Sequence, residues 1–275
     1  MNDAELGDDV RRAASGDRDA AGRVLAAIQD PIYRLAVRML GHPADAEDAT
    51  QEVLIVVLTH LGSFRGESAV MTWVWRIAAN HMLRARRGRR ETDSLEALDE
   101  RLERGLGMQA PELPDAEAAL VAREVRLRCS EAMLLGLDRE LRIAIILGDL
   151  LELPGDEAAA VLEIDPAAYR KRLSRARARL LEFMRRRCGL FEPSNRCRCA
   201  KQAAPAVAAG IIDPSALLFA GHPTVERGGR AADEVGAILG AAEVLRSHPD
   251  YATPDAVLGR IRELLRSGAL ELLHD

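Results

Sequence analysis

Residues 153–187 read LPGDEAAAVLEIDPAAYRKRLSRARARLLEFMRRR, and this stretch decides the fold. Its spacing predicts a helix from about Gly155 to Leu162, a turn at Glu163-Ile164-Asp165, and a second helix from Pro166 to Arg187. Asp165 suits the capping position, and Pro166 suits the first turn, where a missing N–H costs nothing. On the second helix Tyr169, Leu173, Ala176 and Leu180 recur as an apolar stripe. Ala167, Ala168, Arg170, Lys171, Ser174 and Arg175 lie on another face, free to enter a major groove. In such a helix the first two turns reach base edges, while later arginines such as Arg177 meet phosphates. Two helices about a three-residue turn, the second one basic, read as a helix-turn-helix. A solvated basic face is the plainer reading, and nine basic residues against Glu182 alone from 170 to 187 weigh against it.

The rest of the chain agrees with helices. Of 275 residues, 48% are hydrophobic and 29% charged, so a chain disordered throughout is excluded, while aromatics at 3% disfavour a β-sandwich or barrel. The fold class expected is all-α. A net charge of -5 conceals strong segregation, with basic runs at 84–90 and 170–187 and nine acidic residues against two arginines from 91 to 117. The acidic start and the lack of any apolar run near the roughly 18 residues of a membrane span predict a cytoplasmic protein with no membrane segment. No phosphate-binding glycine loop, HExxH or nucleophile elbow is present, and the six histidines are scattered, so the chain is not expected to be an enzyme.

Toward the N-terminus, residues 1–90 read as consecutive amphipathic helices forming a first domain. Val24, Leu25, Ile28, Ile32, Leu35 and Met39 mark one, and Val53, Leu54, Val57, Leu58 and Leu61 the next. The second opens with Asp45, Asp48 and Glu52 on one face, joined by Gln51, and no basic residue pairs them locally. Acids near a helix start complement its dipole, which explains Asp45 to Asp48; Gln51 and Glu52 point to a basic or polar partner instead. A third helix carries both tryptophans. Trp73, in register with Val70 and Ile77, belongs to the core, whereas Trp75 and Arg76 face elsewhere and suit stacking on single-stranded nucleic acid beside the loop 64–68.

Residues 91–117 read as an acidic linker holding at most a short helix, and 118–187 as a second domain that ends in the helix-turn-helix. Residues 188–275 form an extension with helices at about 231–247 and 254–267, too few to close a core, so they must dock elsewhere. The segment 201–275 has ten acidic against seven basic residues, which predicts docking on the basic second domain or between the two domains. Cys188, Cys197 and Cys199 in this extension could ligate zinc with His222 as a fourth ligand, sense redox, or be inert thiols. Cys129, on a helix, reads as a small buried residue.

Together these motifs resemble the extracytoplasmic-function subclass of bacterial sigma factors. Residues 32–36, 41–52, 64–66 and 72–80 resemble the family's region 2, and residues 153–180 resemble its region 4. The resemblance implies a transcription initiation factor that binds core RNA polymerase and directs it to promoter DNA. It implies polymerase contact through Asp45, Asp48, Gln51 and Glu52. Minus-ten DNA would be met by Phe64, Arg65, Ser68, Trp75, Arg76, Asn80 and Arg84, and the minus-thirty-five element by the exposed face of the helix that opens at Pro166. No cofactor is required by the resemblance. The chain departs from the family pattern at Met71, at Pro154 and at Glu163, where a turn glycine is usual, and its last 88 residues are an addition that would regulate it from within. The alternative is a helix-turn-helix regulator, or a zinc or redox sensor, that never joins polymerase.

Overall fold

The computed structural model describes residues 2–84, 94–217 and 251–267. Every regular element among them is helical, and an isolated parallel bridge joins Cys188 to Cys197. None of these helices is long and apolar enough to cross a membrane. The chain forms two compact units that do not follow chain order. In the described residues the first unit comprises 2–84, 153–171 and 251–267, and the second 94–152 and 172–217.

In the first unit, α1 (Asp3–Ala14) begins at a reciprocal cap: Asn2 Oδ1 accepts from the Glu5 amide at 2.8 Å, and Glu5 Oε2 accepts from the Asn2 amide at 3.0 Å. Helix α2 (Arg18–Leu40) starts at Asp17, whose side chain accepts from the amides of Asp19 and Ala20, and stops at Gly41 in the left-handed region. Pro43 then opens α3 (Pro43–Thr59), which packs on α2. Helix α4 (Val70–Arg84) closes the group against both. The predicted stripes are the core: Val24, Leu25, Ile28, Ile32, Leu35 and Met39 meet Val53, Leu54, Val57 and Leu58, all fully or almost fully buried. Each such side chain stabilises the fold by about 1.5–3 kcal/mol relative to exposure. Asp9 of α1 is held below the usual carboxylate range by hydrogen bonds from Arg23 of α2, at 2.6 and 3.0 Å.

In the second unit, α5 (Leu95–Gly107) occupies the middle of the stretch expected to be a linker. Ser94 caps it by accepting from the Ala97 amide, and Leu95 and Leu98 are buried. Helices α6 (Asp115–Leu135) and α7 (Arg139–Ile145) follow, the latter continuing as a π turn over Ile146–Leu150. Arg142 of α7 is buried and donates to the carbonyls of Leu135 and Leu137, groups that the end of α6 leaves without helical partners. Helix α8 (Gly155–Val161) belongs to the first unit, and α9 (Pro166–Arg187) contributes its first six residues there and the remainder to the second.

The extension divides. The mixed Cys, Pro, Gly and Ala composition of 188 to about 230 predicts irregular chain; 188–198 is irregular and tied by the Arg198 guanidinium, which donates to the carbonyls of Pro193, Asn195 and Cys197, but a helix at 199–208 corrects the stretch that follows. Gly189 is required beside Arg198, because a Cβ there would fall 1.2 Å from Arg198 Nη1. Helix α10 (Cys199–Ala208) then packs on α6 and α5, burying Ala203 and Ile212 with Val121 and Val125. A helix at 231–247 lies outside the described residues. The final helix, α11 (Asp255–Ser267), confirms the expected second element but not its expected site. It packs on α2 and α3 of the first unit, burying Val257, Leu258, Ile261 and Leu265. Arg34 Nε donates to the Tyr251 carbonyl at 3.1 Å, and the Thr253 amide donates to Asp30 at 2.9 Å. The expectation of docking on the basic domain came from the average charge of 201–275. Helix α11 itself carries Arg260, Arg262 and Arg266 against Asp255 and Glu263, so that average does not describe it, and its apolar stripe decides where it goes.

Candidate nucleic-acid interface

Helix α3 presents its acids on the side opposite its apolar stripe. Asp48 and Glu52 are exposed, Asp45 and Gln51 half-buried, and Ala46, Ala49, Thr50 and Val53 turn inward. Asp45 lies 4.0 Å from His42, and Glu52 Oε2 lies 3.1 Å from His81 Nε2 on α4. The four residues assigned to partner binding therefore share one helix, with Asp48 and Glu52 most available. Fixed charges on an open face steer and orient a partner more than they stabilise the helix.

The loop before α4 turns at Gly66, at φ 72°, and leaves Arg65 and Ser68 exposed. Phe64 does not extend into solvent; its ring sits 5.6 Å from that of Trp73 at 55°, a tilted aromatic pair. Arg76 and Arg84 are exposed as expected. Trp75 is not. It is only 6% accessible, which corrects the expectation that it faces away from the core. Helix α4 packs against α1, α2, α3 and α8, and on the α8 side the Thr72 hydroxyl donates to Glu157 at 2.5 Å while the Asn80 amide donates to Glu163 at 3.2 Å. Thr72, Glu157 and Glu163 were absent from the sequence-derived site, and the one signal for them was the departure from glycine at Glu163.

Helix α9 has the expected cap. Asp165 accepts from the Ala167 amide at 2.7 Å and from that of Ala168 at 3.4 Å. Tyr169, Ala176 and Leu180 are buried and Leu173 half-buried. Ala167, Arg170, Lys171, Ser174 and Arg175 are exposed, Ala168 is half-buried, and Arg170, Lys171 and Arg175 make no ion pair among the described residues. Arg177 differs: its Nε donates to Asp149 at 3.0 Å, and the Asp149 side chain is only 10% accessible. Arg172 pairs with Glu140 at 3.2 Å and Arg179 with Asp138 at 2.7 Å. At the far end Arg187 donates to Asp99 at 2.7 Å and to Glu103 at 3.1 Å, so linker acids neutralise part of the basic run. The arginines thus divide into an open set near the helix start and a set that fastens α9 within the second unit.

All four cysteines are free thiols. Cys199 opens α10 against Val121 and Val125, and burial pushes its thiol up to about 11; burial likewise raises Cys197 and, most of all, Cys129 on α6. Burial of this kind favours the thiol over the nucleophilic thiolate. Among the described residues no three or more His, Cys, Asp or Glu side chains are grouped to hold a metal ion. His222, the fourth ligand expected for Cys188, Cys197 and Cys199, lies outside the described residues.

Two family models match this chain. The family model for sigma-70 region 2 matches residues 25–92, and that for sigma-70 region 4 matches residues 127–180. The RNA polymerase sigma-H factor of Pseudomonas aeruginosa is 32% identical over 173 residues, spanning 61% of this chain and 88% of the relative. The ECF RNA polymerase sigma-E factor of Escherichia coli K12 is 32% identical over 177 residues, with the same coverage of 61% and 88%. SigW of Bacillus subtilis is 30% identical over 179 residues, covering 64% of this chain and 95% of that factor. With an acidic α3, an arginine-bearing α4 and the helix-turn-helix of α8 and α9 inside these matches, the chain belongs to the extracytoplasmic-function subclass of the sigma-70 family.

Proposed function

We propose the following division of labour within the family's function, which is to bind core RNA polymerase and direct it to promoters rather than to catalyse a reaction. Asp45, Asp48, Gln51 and Glu52 on α3 grip the polymerase. Phe64, Arg65, Ser68, Arg76, Asn80 and Arg84 meet the minus-ten element, joined by Trp75 once it is uncovered. Ala167, Ala168, Arg170, Lys171, Ser174 and Arg175 read the minus-thirty-five element, with Arg177 holding the helix that presents them. The reading places the protein in the cytoplasm with the promoter DNA. It requires no cofactor.

The observation that carries the reading is the segregation of charge by element: exposed acids on α3 and exposed, unpaired basic residues at the start of α9. A regulator that works without polymerase has use for the second surface and none for the first. Co-purification with core polymerase tests this. The parent protein should be retained, and the double variant D48K/E52K should be lost from the complex while keeping native helicity. Unchanged retention of the variant would contradict the assignment of α3, and failure of the parent to bind would favour the regulator.

The extension acts from within. Helix α11 packs along α2 and α3, the second of which carries the polymerase-facing acids, so the tail restrains region 2.

A further inference from the structure

Within the first unit, α4 meets two carboxylates that its sequence neighbours do not supply. Thr72 donates to Glu157 near the start of α8, and Asn80 donates to Glu163 in the turn that follows it. The two donors are eight residues apart, so with Arg76 midway they form one stripe along a 3.6-residue helix. Of these three, Arg76 and Asn80 are residues that the proposed function gives to the minus-ten element. Carboxylate oxygens accept there the hydrogen bonds that phosphate or base oxygens would accept, and Trp75, beside the stripe, is covered.

The backbone at Glu163 is set by the end of α8, where the Ile164 amide donates to the Ala159 carbonyl and the Glu163 amide to that of Ala160. The φ of Glu163 is 53°, in the left-handed region that disfavours any residue with a Cβ. Glycine would adopt this turn without strain. The partner that the Glu163 side chain has here is Asn80. The left-handed cap turns the chain at Glu163, and its side chain meets Asn80 on α4.

We propose that Glu157 and Glu163 form an acidic latch that occupies the DNA-reading stripe of α4, so that the helix-turn-helix masks the minus-ten site until polymerase or promoter displaces it. Glu163 is exposed at the edge of the contact, which suits a latch that opens by competition. The inference rests on the assignment of α4 to minus-ten DNA.

Glu163→Gly in the full-length protein is the test, because glycine relieves the strained turn while deleting the carboxylate, so lost folding cannot mimic an opened latch. Both tryptophans of the chain lie on α4, and their emission reports its cover in the absence of DNA. A fluorescent single-stranded DNA of randomised sequence reports the site itself. The variant should show an unchanged or higher melting temperature, red-shifted emission, and oligonucleotide binding about fivefold tighter, consistent with the loss of one competing charge-assisted hydrogen bond. The double variant E157A/E163G should move further in both readouts. Emission and affinity both unchanged in the double variant would overturn the latch. Emission that shifts while affinity does not would overturn the masking and trace the failure to the minus-ten assignment of α4.

Discussion

Arg177 and Arg175 stand two positions apart on α9 and do different work. Arg177 completes a pair with Asp149, whose side chain is almost buried, while Arg175 points to solvent. Charge runs in a sequence cannot reveal this split, since the partner lies 28 residues away on the π turn after α7. The apolar stripe of α9 and its Asp165 cap, by contrast, are local and were legible in residues 165–180. Trp75 was misjudged because α4 packs on α1, α2, α3 and α8, four elements that a single periodic stripe does not reveal. A mutational contrast follows. R170A/R175A should weaken binding to duplex DNA carrying the upstream element, relax its sequence preference, and lower the salt slope by up to about 2, because two cations leave the DNA surface. R177A should instead lower stability by about 1–3 kcal/mol, because Asp149 is left buried without its arginine, with the salt slope retained. Denaturant titration and a salt series of binding curves distinguish them, and equal effects of the two variants on the slope would contradict the split.

At the scale of elements, helix periodicity carried α2, α3, α4, α6 and α9, whose stripes run long enough to identify a face. The acidic stretch 91–117 hid α5 because nine acids dominate its composition, although Ser94, Leu95 and Leu98 supply a cap and a buried face. Helix α10 was missed in an alanine-rich segment broken by Pro205. Its close approach to α5 brings the Gln202 side chain against Gly105. These two elements alter where the extension can be cut. A chain ending at Leu217 retains the cluster of Val121, Val125, Ala203 and Ile212, whereas one ending at Arg187 removes its cover. The shorter chain should therefore melt earlier and expose apolar surface to a hydrophobic dye. The chain ending at Leu217 should stay folded, lack α11 on α2 and α3, and show higher promoter activity with core polymerase. Lower activity from that folded truncation would mean that α11 braces region 2 rather than restraining it.

Across the whole molecule, the modules legible in the sequence and the compact units of the structure are different partitions of the same chain. Region 2 gathers α8, the start of α9 and the final helix α11 around its own helices, and the second unit holds α5, α6, α7, the rest of α9 and α10. Motif order identified the modules, because family motifs are contiguous. Grouping depends on contacts between segments far apart in the chain, which periodicity does not encode. The central claim is that this chain selects promoters for core polymerase through α3, α4 and α9. The most direct measurement is start-site sequencing of transcripts made on sheared genomic DNA from the protein's own source by core polymerase with and without the protein. Discrete start sites preceded by two shared sequence elements, in the minus-ten and minus-thirty-five positions, are predicted; they should vanish with D48K/E52K. Start sites indistinguishable from those of core polymerase alone would contradict the account.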